Sequence, residues 1–381
     1  MAYFDNAATS YPKPDEVYSF MDSFYRNHGG SAGRGHYALA NTSKGMIDET
    51  RSLLCELLHC PAKQVIFTAT ATIALNMIIQ GVITKGASSV YISPFEHNAV
   101  TRTLWHFEQS NKISVKELSV TDSMTYDMSR IRYQFDAVRP DFVIISHASN
   151  VTGLVAPVEE LFALAKEYGA ITLVDMAQTA GLVDLNVGLE TIDFAVFAGH
   201  KTLLGPTGVS GFVMSPSFAL PPVLFGGTGY DSANQDMPSS IPERYEMGTL
   251  NIASIAGLNA SLKWIKAQTI DHIFKEEELR RKRLLEILGK YDFLKIVGCV
   301  DGRKYVGIVS CLFDGISSDS AGSIFAERGI SVRTGLQCAP RAHIFLGTYP
   351  AGTIRFSVNA FTTDSDFSEL NEALDDIEIN L

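Results

Sequence analysis

Apolar runs and helical faces alternate along the chain from about residue 64 to residue 215. Gln64–Thr68 (QVIFT) predicts a strand and ATIALNMIIQG, after it, a helix. Ser89–Ser93 (SVYIS) predicts a strand ahead of the helical FEHNAVTRTLWHFEQ. Phe142–Ser146 (FVIIS) leads to VEELFALAKEYG, where Val158, Leu161, Phe162, Leu164 and Ala165 form one helical face and Gly169 stands where a C-terminal cap belongs. Ile171–Val174, Phe194–Phe197 and Val209–Met214 complete this set of strands. Apolar strands separated by helices predict an α/β fold with a mostly parallel sheet covered on both faces. In such sheets ligands bind beyond the strand C-termini. The polar residues after each strand are therefore where a site belongs.

A second region begins near residue 258. His272–Gly289 predicts a charged amphipathic helix whose KEEELRRKR run reads as a solvated face. Strands at Tyr305–Phe313, Ile330–Arg333 and Thr353–Ser357, with a helix at about Ser320–Glu327, predict a smaller α+β domain. The expected division is a large domain over 15–257 and a small one built from 1–14 and 258–381. A site between the two is expected, because clefts at domain junctions commonly hold ligands.

Composition narrows the function class. The chain of 381 residues is 46% hydrophobic and 19% charged, which is ordinary globular usage. With 31 basic against 42 acidic side chains and a net charge of −11, it lacks the basic surface of a nucleic-acid binder. No run approaches the roughly 18 apolar residues of a membrane span. The start, MAYFDNAATS, has neither a basic leader nor an apolar signal core, so a cytoplasmic protein free of the membrane is expected. The five cysteines, Cys55, Cys60, Cys299, Cys311 and Cys338, are scattered without a CxxC pair. They fit reduced thiols better than a disulfide framework or a zinc site, and no metal is expected.

Three strand ends carry candidate chemistry. In FAVFAGHKTLLGPTG, His200 and Lys201 stand at the exit of a strand. A lysine there is costly unless its ammonium has a partner or has lost its proton, and a Schiff base to a cofactor aldehyde resolves the problem chemically. Asp175 directly follows the ITLV strand. It can hold a pyridine nitrogen protonated, or simply cap a helix. FTATATIALN places small residues at a helix N-terminus, where backbone N–H groups, Thr72 and the helix dipole suit a phosphate. The motif is not a Gly-rich nucleotide loop. Together these features point to pyridoxal 5′-phosphate (PLP).

DNAAT at Asp5–Thr9, GRGH at Gly33–His36, EHNA at Glu96–Ala99, SNVTG at Ser149–Gly153, VDMAQ at Val174–Gln178, GHK at Gly199–Lys201 and RTGLQCAP at Arg333–Pro340 occur in this order. With them the chain resembles the class V aminotransferase superfamily of PLP fold type I, and within it the group II cysteine desulfurase and selenocysteine lyase branch. The resemblance implies a seven-stranded large domain and a homodimer. It makes Lys201 the Schiff-base lysine, Asp175 the partner of the pyridinium nitrogen, and His97 the ring that stacks on the cofactor. Gln178 and Asn150 match positions at the cofactor's phenolic edge. Ala71, Thr72 and His200 match phosphate-binding positions, and Thr249 one that reaches the partner subunit's phosphate. Arg355 matches the arginine that binds the substrate α-carboxylate, with Arg333, Asn6 and His36 lining the same pocket.

Cys338 decides the reaction that the resemblance implies. In a Gly- and Pro-bounded loop it would take sulfur from L-cysteine as a persulfide, leaving L-alanine, and pass it to a sulfur-acceptor protein. Cys55 and Cys60 in LLCELLHC, and Cys299 and Cys311 at small-domain strands, read as small packed hydrophobes. The chain departs from group II members at Leu336–Gln337, where they often carry a His-His pair, at Ile73 in place of Glu, and at the added His343. A selenocysteine lyase, an aminotransferase or epimerase of the same superfamily, and a sulfur-carrier scaffold without turnover are the alternatives. The Lys201–Asp175–His97 set argues against the last.

Overall fold

The structure, a computed structural model, describes residues 1–380 except 33, 34 and 36. After a two-residue strand β1 (Ala2–Tyr3), the chain builds a central sheet from β2 (Gln64–Thr68), β3 (Ser89–Ile92), β4 (Ser114–Glu117), β5 (Phe142–Ser146), β6 (Ile171–Asp175), β7 (Phe194–Ala198) and β8 (Ser210–Met214). Their order is β2-β8-β7-β6-β5-β3-β4. Only β8 runs against its neighbours, so the other six strands point the same way.

The apolar runs are continuous because both faces are buried. In β5, Val143 and Ile145 join one core with Phe162, while Phe142 and Ile144 join a second with Ile78 and Val82. This is the period of two that sends successive side chains to opposite faces. The strand of this sheet not anticipated from sequence, β4, is an edge strand of mixed polarity (SVKE), exposed at both ends. Its pattern carries little hydrophobic signal.

The remaining strands, β9 (Leu294–Val297), β10 (Ile308–Phe313), β11 (Ile330–Ser331), β12 (Arg333–Gly335) and β13 (Thr353–Ser357), belong to the second unit. An antiparallel sheet runs β12-β13-β10-β9, and β11 pairs with β1. The single strand expected over 330–333 is thus two, each serving a different sheet. The segment at Tyr305 is not part of β10; Tyr305 bridges to Leu154 instead. Phe4 lies wholly inside this core, edge-on to Phe356 and Phe367, which ties the N-terminal segment to the second unit.

Two expectations need correction. The helix Ile252–Gln268 runs unbroken across residues 257 and 258 and packs on the helices Asp15–His28 and Ala38–Leu57, so the expected boundary falls inside a helix. The charged helix, Ile270–Leu288, is not solvated along its whole run. Glu277 is buried, accepts the Gly307 N–H at 2.6 Å, and is pushed up to about 7 by that burial.

Candidate active site

Beyond the C-terminal ends of the parallel strands lies a cavity of about 270 Å3, lined by Thr72, His97, Asn150, Asp175, His200 and Lys201 among others. Asp175 is the last residue of β6, and Lys201 follows β7, its direct neighbour in the sheet. The turn between β7 and Lys201 requires Gly199, since a Cβ there would lie 2.4 Å from the Val209 carbonyl oxygen. Burial pushes the Lys201 ammonium down to about 8, opposed by Asp175 and helped by Arg355 and Arg333. Burial pushes the Asp175 carboxyl up, while the Ala177 N–H, 2.9 Å from Oδ1, and the Lys201 charge pull it down.

His97 caps the helix Asn98–Gln109, with Nδ1 accepting the Ala99 N–H at 3.0 Å. The proton of the neutral ring therefore sits on Nε2. Burial and then the Lys201 charge, with three arginines behind it, hold the imidazole down to about 4. Below it, buried Glu96 accepts from Ser93 Oγ at 2.6 Å, from Ser146 N at 2.7 Å and from Ser146 Oγ at 2.8 Å. These bonds tie the end of β3 to the end of β5.

One end of the cavity suits an anion. Thr70 Oγ1 accepts the Ile73 N–H at 3.2 Å and starts the helix Ala71–Thr84. The first amides of a helix lack intrahelical acceptors. His200, which lines the same cavity, has a buried Nδ1 with no partner, and burial holds its ring down to about 4.

The second unit meets the cavity through Asn150, a lining residue that Arg355 and Gln337 contact, while neither Arg333 nor Arg355 lines the cavity itself. Arg333 and Arg355 are opposite one another on β12 and β13. Arg355, only 2% exposed, donates from Nη1 to the Asn150 carbonyl at 2.9 Å and from Nη2 to Asp5 Oδ1 at 2.8 Å, and its Nε is buried without a partner. Asn150 Nδ2 donates to the Gln337 carbonyl at 2.6 Å, and the Asn98 N–H donates to the Cys338 carbonyl at 2.7 Å. The exposed Cys338 lines a groove of about 560 Å3 with Asn98, Arg102, Trp105 and Arg333. His97 lines the inner cavity and Asn98 the outer groove, so the thiol loop hangs at the mouth.

The class-V aminotransferase family profile matches residues 2–370. The chain belongs to the class-V aminotransferase family. It is 28% identical to a protein of Methanothermobacter thermautotrophicus described as a probable cysteine desulfurase, over 98% of this chain and 94% of that one. A Pyrococcus abyssi protein of the same description is 30% identical over 88% of this chain and 84% of its own. Among solved structures, the apo cysteine desulfurase of Thermococcus onnurineus superposes with a TM-score of 0.90 at 26% identity, covering 100% of this chain and 95% of that one.

Class-V aminotransferases use PLP, and the residues of the cavity fit it. They supply a lysine of lowered proton affinity, a carboxylate on the adjacent strand, a helix N-terminus, and an orphaned His200 Nδ1 that an acceptor oxygen would satisfy. The structure brings Lys201, Asp175, His97, Asn150, Gln178, Ala71, Thr72 and His200 to one cavity. Gln178 Nε2 also donates to the Ala7 carbonyl at 2.9 Å.

Other expected residues stand elsewhere. Asn6 does not line this cavity: its Nδ2 donates to the Ser357 carbonyl at 3.0 Å, and its Oδ1 accepts from Asn359 Nδ2 at 2.8 Å and from Tyr11 N at 3.1 Å. Its polar atoms are committed to joining the N-terminal segment to β13. Thr249 is exposed, outside the cavity, near the Arg51–Glu246 ion pair. His36 lies outside the described residues. Cys299 is exposed rather than packed, with Arg281 Nη2 3.4 Å from its sulfur, whereas Cys60 and Cys311 are buried as expected.

Sequence reasoning missed Asp5, Thr70 and Glu96 as site residues. Asp5 was visible only as part of DNAAT, and its partner Arg355 is 350 positions away. Thr70 carried an N-cap signal, a threonine just before a helical run.

Proposed function

We propose that this chain is a PLP-dependent cysteine desulfurase that converts L-cysteine to L-alanine and takes the sulfur onto Cys338 as a persulfide. The observation that carries the reading is the exposed Cys338 thiol on a loop at the mouth of a cavity holding a lysine of lowered proton affinity beside a carboxylate. When bound, PLP holds the amino acid through its aldehyde carbon and draws off the electron pair left at Cα.

The protein's own groups divide the remaining work. The Arg355 guanidinium receives the substrate carboxylate, a planar fork matched to a planar anion, with Arg333 on the neighbouring strand adding charge. Lys201 Nζ takes the Cα proton, which it can do because burial leaves a useful fraction of it unprotonated near neutral pH. With the cofactor bound, Asp175 would hold a proton at its ring nitrogen, Gln178 and Asn150 would serve its phenolic oxygen, and neutral His97 would stack on its ring. Ala71, Thr72 and His200 would hold its phosphate. The Cys338 thiolate attacks the substrate sulfur. An S–S bond forms, the Cβ–S bond breaks with its electron pair left on the carbon side, and protonation there completes alanine. Cysteine plus thiol thus gives alanine plus persulfide, with atoms and electrons balanced.

Thr249, exposed and outside its own cavity, reaches the phosphate of a second copy, so the working unit is a homodimer. A separate protein with a nucleophilic thiol then takes the sulfur. The setting is the cytoplasm, in keeping with the five unbridged cysteines. Among the described residues no helix is long and apolar enough to cross a membrane.

The test compares alanine and persulfide formation from L-cysteine by wild type and Cys338→Ala. Loss of both products in the variant supports the reading. Alanine formation that survives the substitution overturns it in favour of a selenocysteine lyase or an aminotransferase.

A further inference from the structure

Cys338 sits on an unusual piece of backbone. Gln337 and Cys338 have φ of +42° and +58°, two successive non-glycine residues in the left-handed region. Such a conformation persists only where its surroundings over-determine it. The loop is pinched at its base, where Gly335 pairs with Thr353 and Gly352 approaches so closely that a Cβ on it would lie 2.3 Å from the Gly335 carbonyl. Outside the turn, Asn98 and Asn150 hold the carbonyls of Cys338 and Gln337.

Inside the turn lies a chain of buried polar side chains. Gln337 Nε2 donates to the Thr353 carbonyl at 3.0 Å, and to the Arg333 carbonyl at 3.5 Å. Both partners are acceptors, so the amide orientation is settled and Oε1 faces His343 Nε2 at 2.8 Å. That oxygen can only accept, so His343 carries its proton on Nε2, and its Nδ1 accepts from Thr348 Oγ1 at 2.7 Å. His343 is fully buried, and burial holds it down to about 4, keeping the ring neutral with this single tautomer. His343 lies on the short helix Pro340–Phe345, whose Phe345 packs edge-on against Phe95 at 5.3 Å and so anchors the helix to the loop between β3 and His97.

We propose that His343 is a positioning residue for the sulfur-transfer cysteine: through Gln337 it holds the left-handed turn that presents the Cys338 thiol at the cavity mouth. The proposal rests on the reading of Cys338 as the sulfur acceptor. Among the described residues the other donor to Oε1 is Thr353 Oγ1 at 3.4 Å, so loss of the His343 N–H leaves the oxygen with that one long bond and frees the turn to relax. A thiol displaced by about 1 Å loses much of its reactivity while substrate binding, made by Arg355 and the cofactor, is untouched.

The experiment uses the PLP-loaded enzyme and follows alanine release from L-cysteine with dithiothreitol as sulfur acceptor. His343→Phe is expected to lower kcat about ten-fold, with KM and the visible cofactor spectrum as in wild type. His343→Gln, whose terminal N–H can reach the place of Nε2, recovers most of that loss. Gln337→Met gives a similar drop, and the double variant is no worse than either single one, as two members of one chain require. If His343→Phe does not fold, Thr348→Val carries the same test with a loss of about three-fold.

An unchanged kcat, an equal loss in the Phe and Gln variants, or a loss matched by a rise in KM or a bleached spectrum overturns the proposal. Cys338→Ala separates the two readings. If it keeps alanine formation, both fall. If it abolishes turnover while His343→Phe matches wild type, only the positioning role falls.

Discussion

Arg333 and Arg355 face one another across β12 and β13, and Asp5 is the carboxylate that both approach, at 3.8 Å and 2.8 Å. Two guanidinium groups in adjacent register would repel. One anion from the N-terminal segment offsets this and orients Arg355 towards the cavity floor at Asn150. Under the proposed function, the substrate carboxylate would meet an arginine already fixed in place, which reduces the ordering cost of binding.

Arg355→Gln is expected to cost about 2–5 kcal/mol in kcat/KM for L-cysteine, mostly as a rise in KM, because it removes the fork and leaves Asp5 without its buried partner. Steady-state kinetics check this. A variant with normal KM and reduced kcat would place Arg355 outside substrate binding.

Lys201→Met should make the cofactor-free protein more stable at pH 7. The folded value of Lys201, about 8, lies below its unfolded 10.5, so the folded state binds fewer protons between those limits. Wild-type stability therefore rises as pH climbs through that window, and the penalty for burying the ammonium is fully present below it. The gain for the methionine variant is at most about 3 kcal/mol at pH 7 and shrinks towards pH 10.5. Urea unfolding at pH 7 and pH 10 tests this, and a gain independent of pH counts against it.

His97 acts in the same direction, in the acid range. Its folded value of about 4 lies below 6.5, so its contribution is intact above pH 6.5 and is lost as pH falls towards 4. In NMR titrations its ring should stay neutral at pH 6, with the Nε2–H tautomer. His97→Ala also removes a helix cap, at about 0.5–2 kcal/mol, whereas His97→Asn retains it. Thermal unfolding of the two variants should differ accordingly.

His200→Ala should weaken PLP retention by about 1–3 kcal/mol, since the orphaned Nδ1 is then absent when the phosphate arrives. Removing PLP from wild type lowers the melting temperature, because the ligand binds only the folded state. The variant should show a smaller drop on removal while its cofactor-free form melts near wild type. Equal drops in both would take His200 out of the cofactor site.

Much of the sheet was legible from sequence because β3, β5, β7 and β8 are buried along their whole length, so burial and composition agree residue by residue. Edge strand β4 was not, since half-exposed residues lose the pattern. Lys201 and Asp175 were legible as residues at successive strand ends, and the parallel sheet had to bring such ends to one side; His97 was named only through the resemblance. Asn6 was misjudged. Its motif marks it, yet its polar atoms are spent on Ser357, Asn359 and Tyr11, partners that no local pattern indicates.

Sequence by itself determined the α/β layering and the side of the sheet where chemistry lies, because these follow from local periodicity; it offered Lys201 and Asp175 as strand-end candidates, and the resemblance carried by RTGLQCAP added Cys338. Tertiary structure alone decided that Asp5 clamps two arginines, that Asn98 and Asn150 hold the cysteine turn, and that His343 supports it from inside. Those contacts join residues that are far apart in sequence or whose side chains meet only after the two units pack. Their energies come from burial and hydrogen-bond geometry that exist only once the strands have found their register.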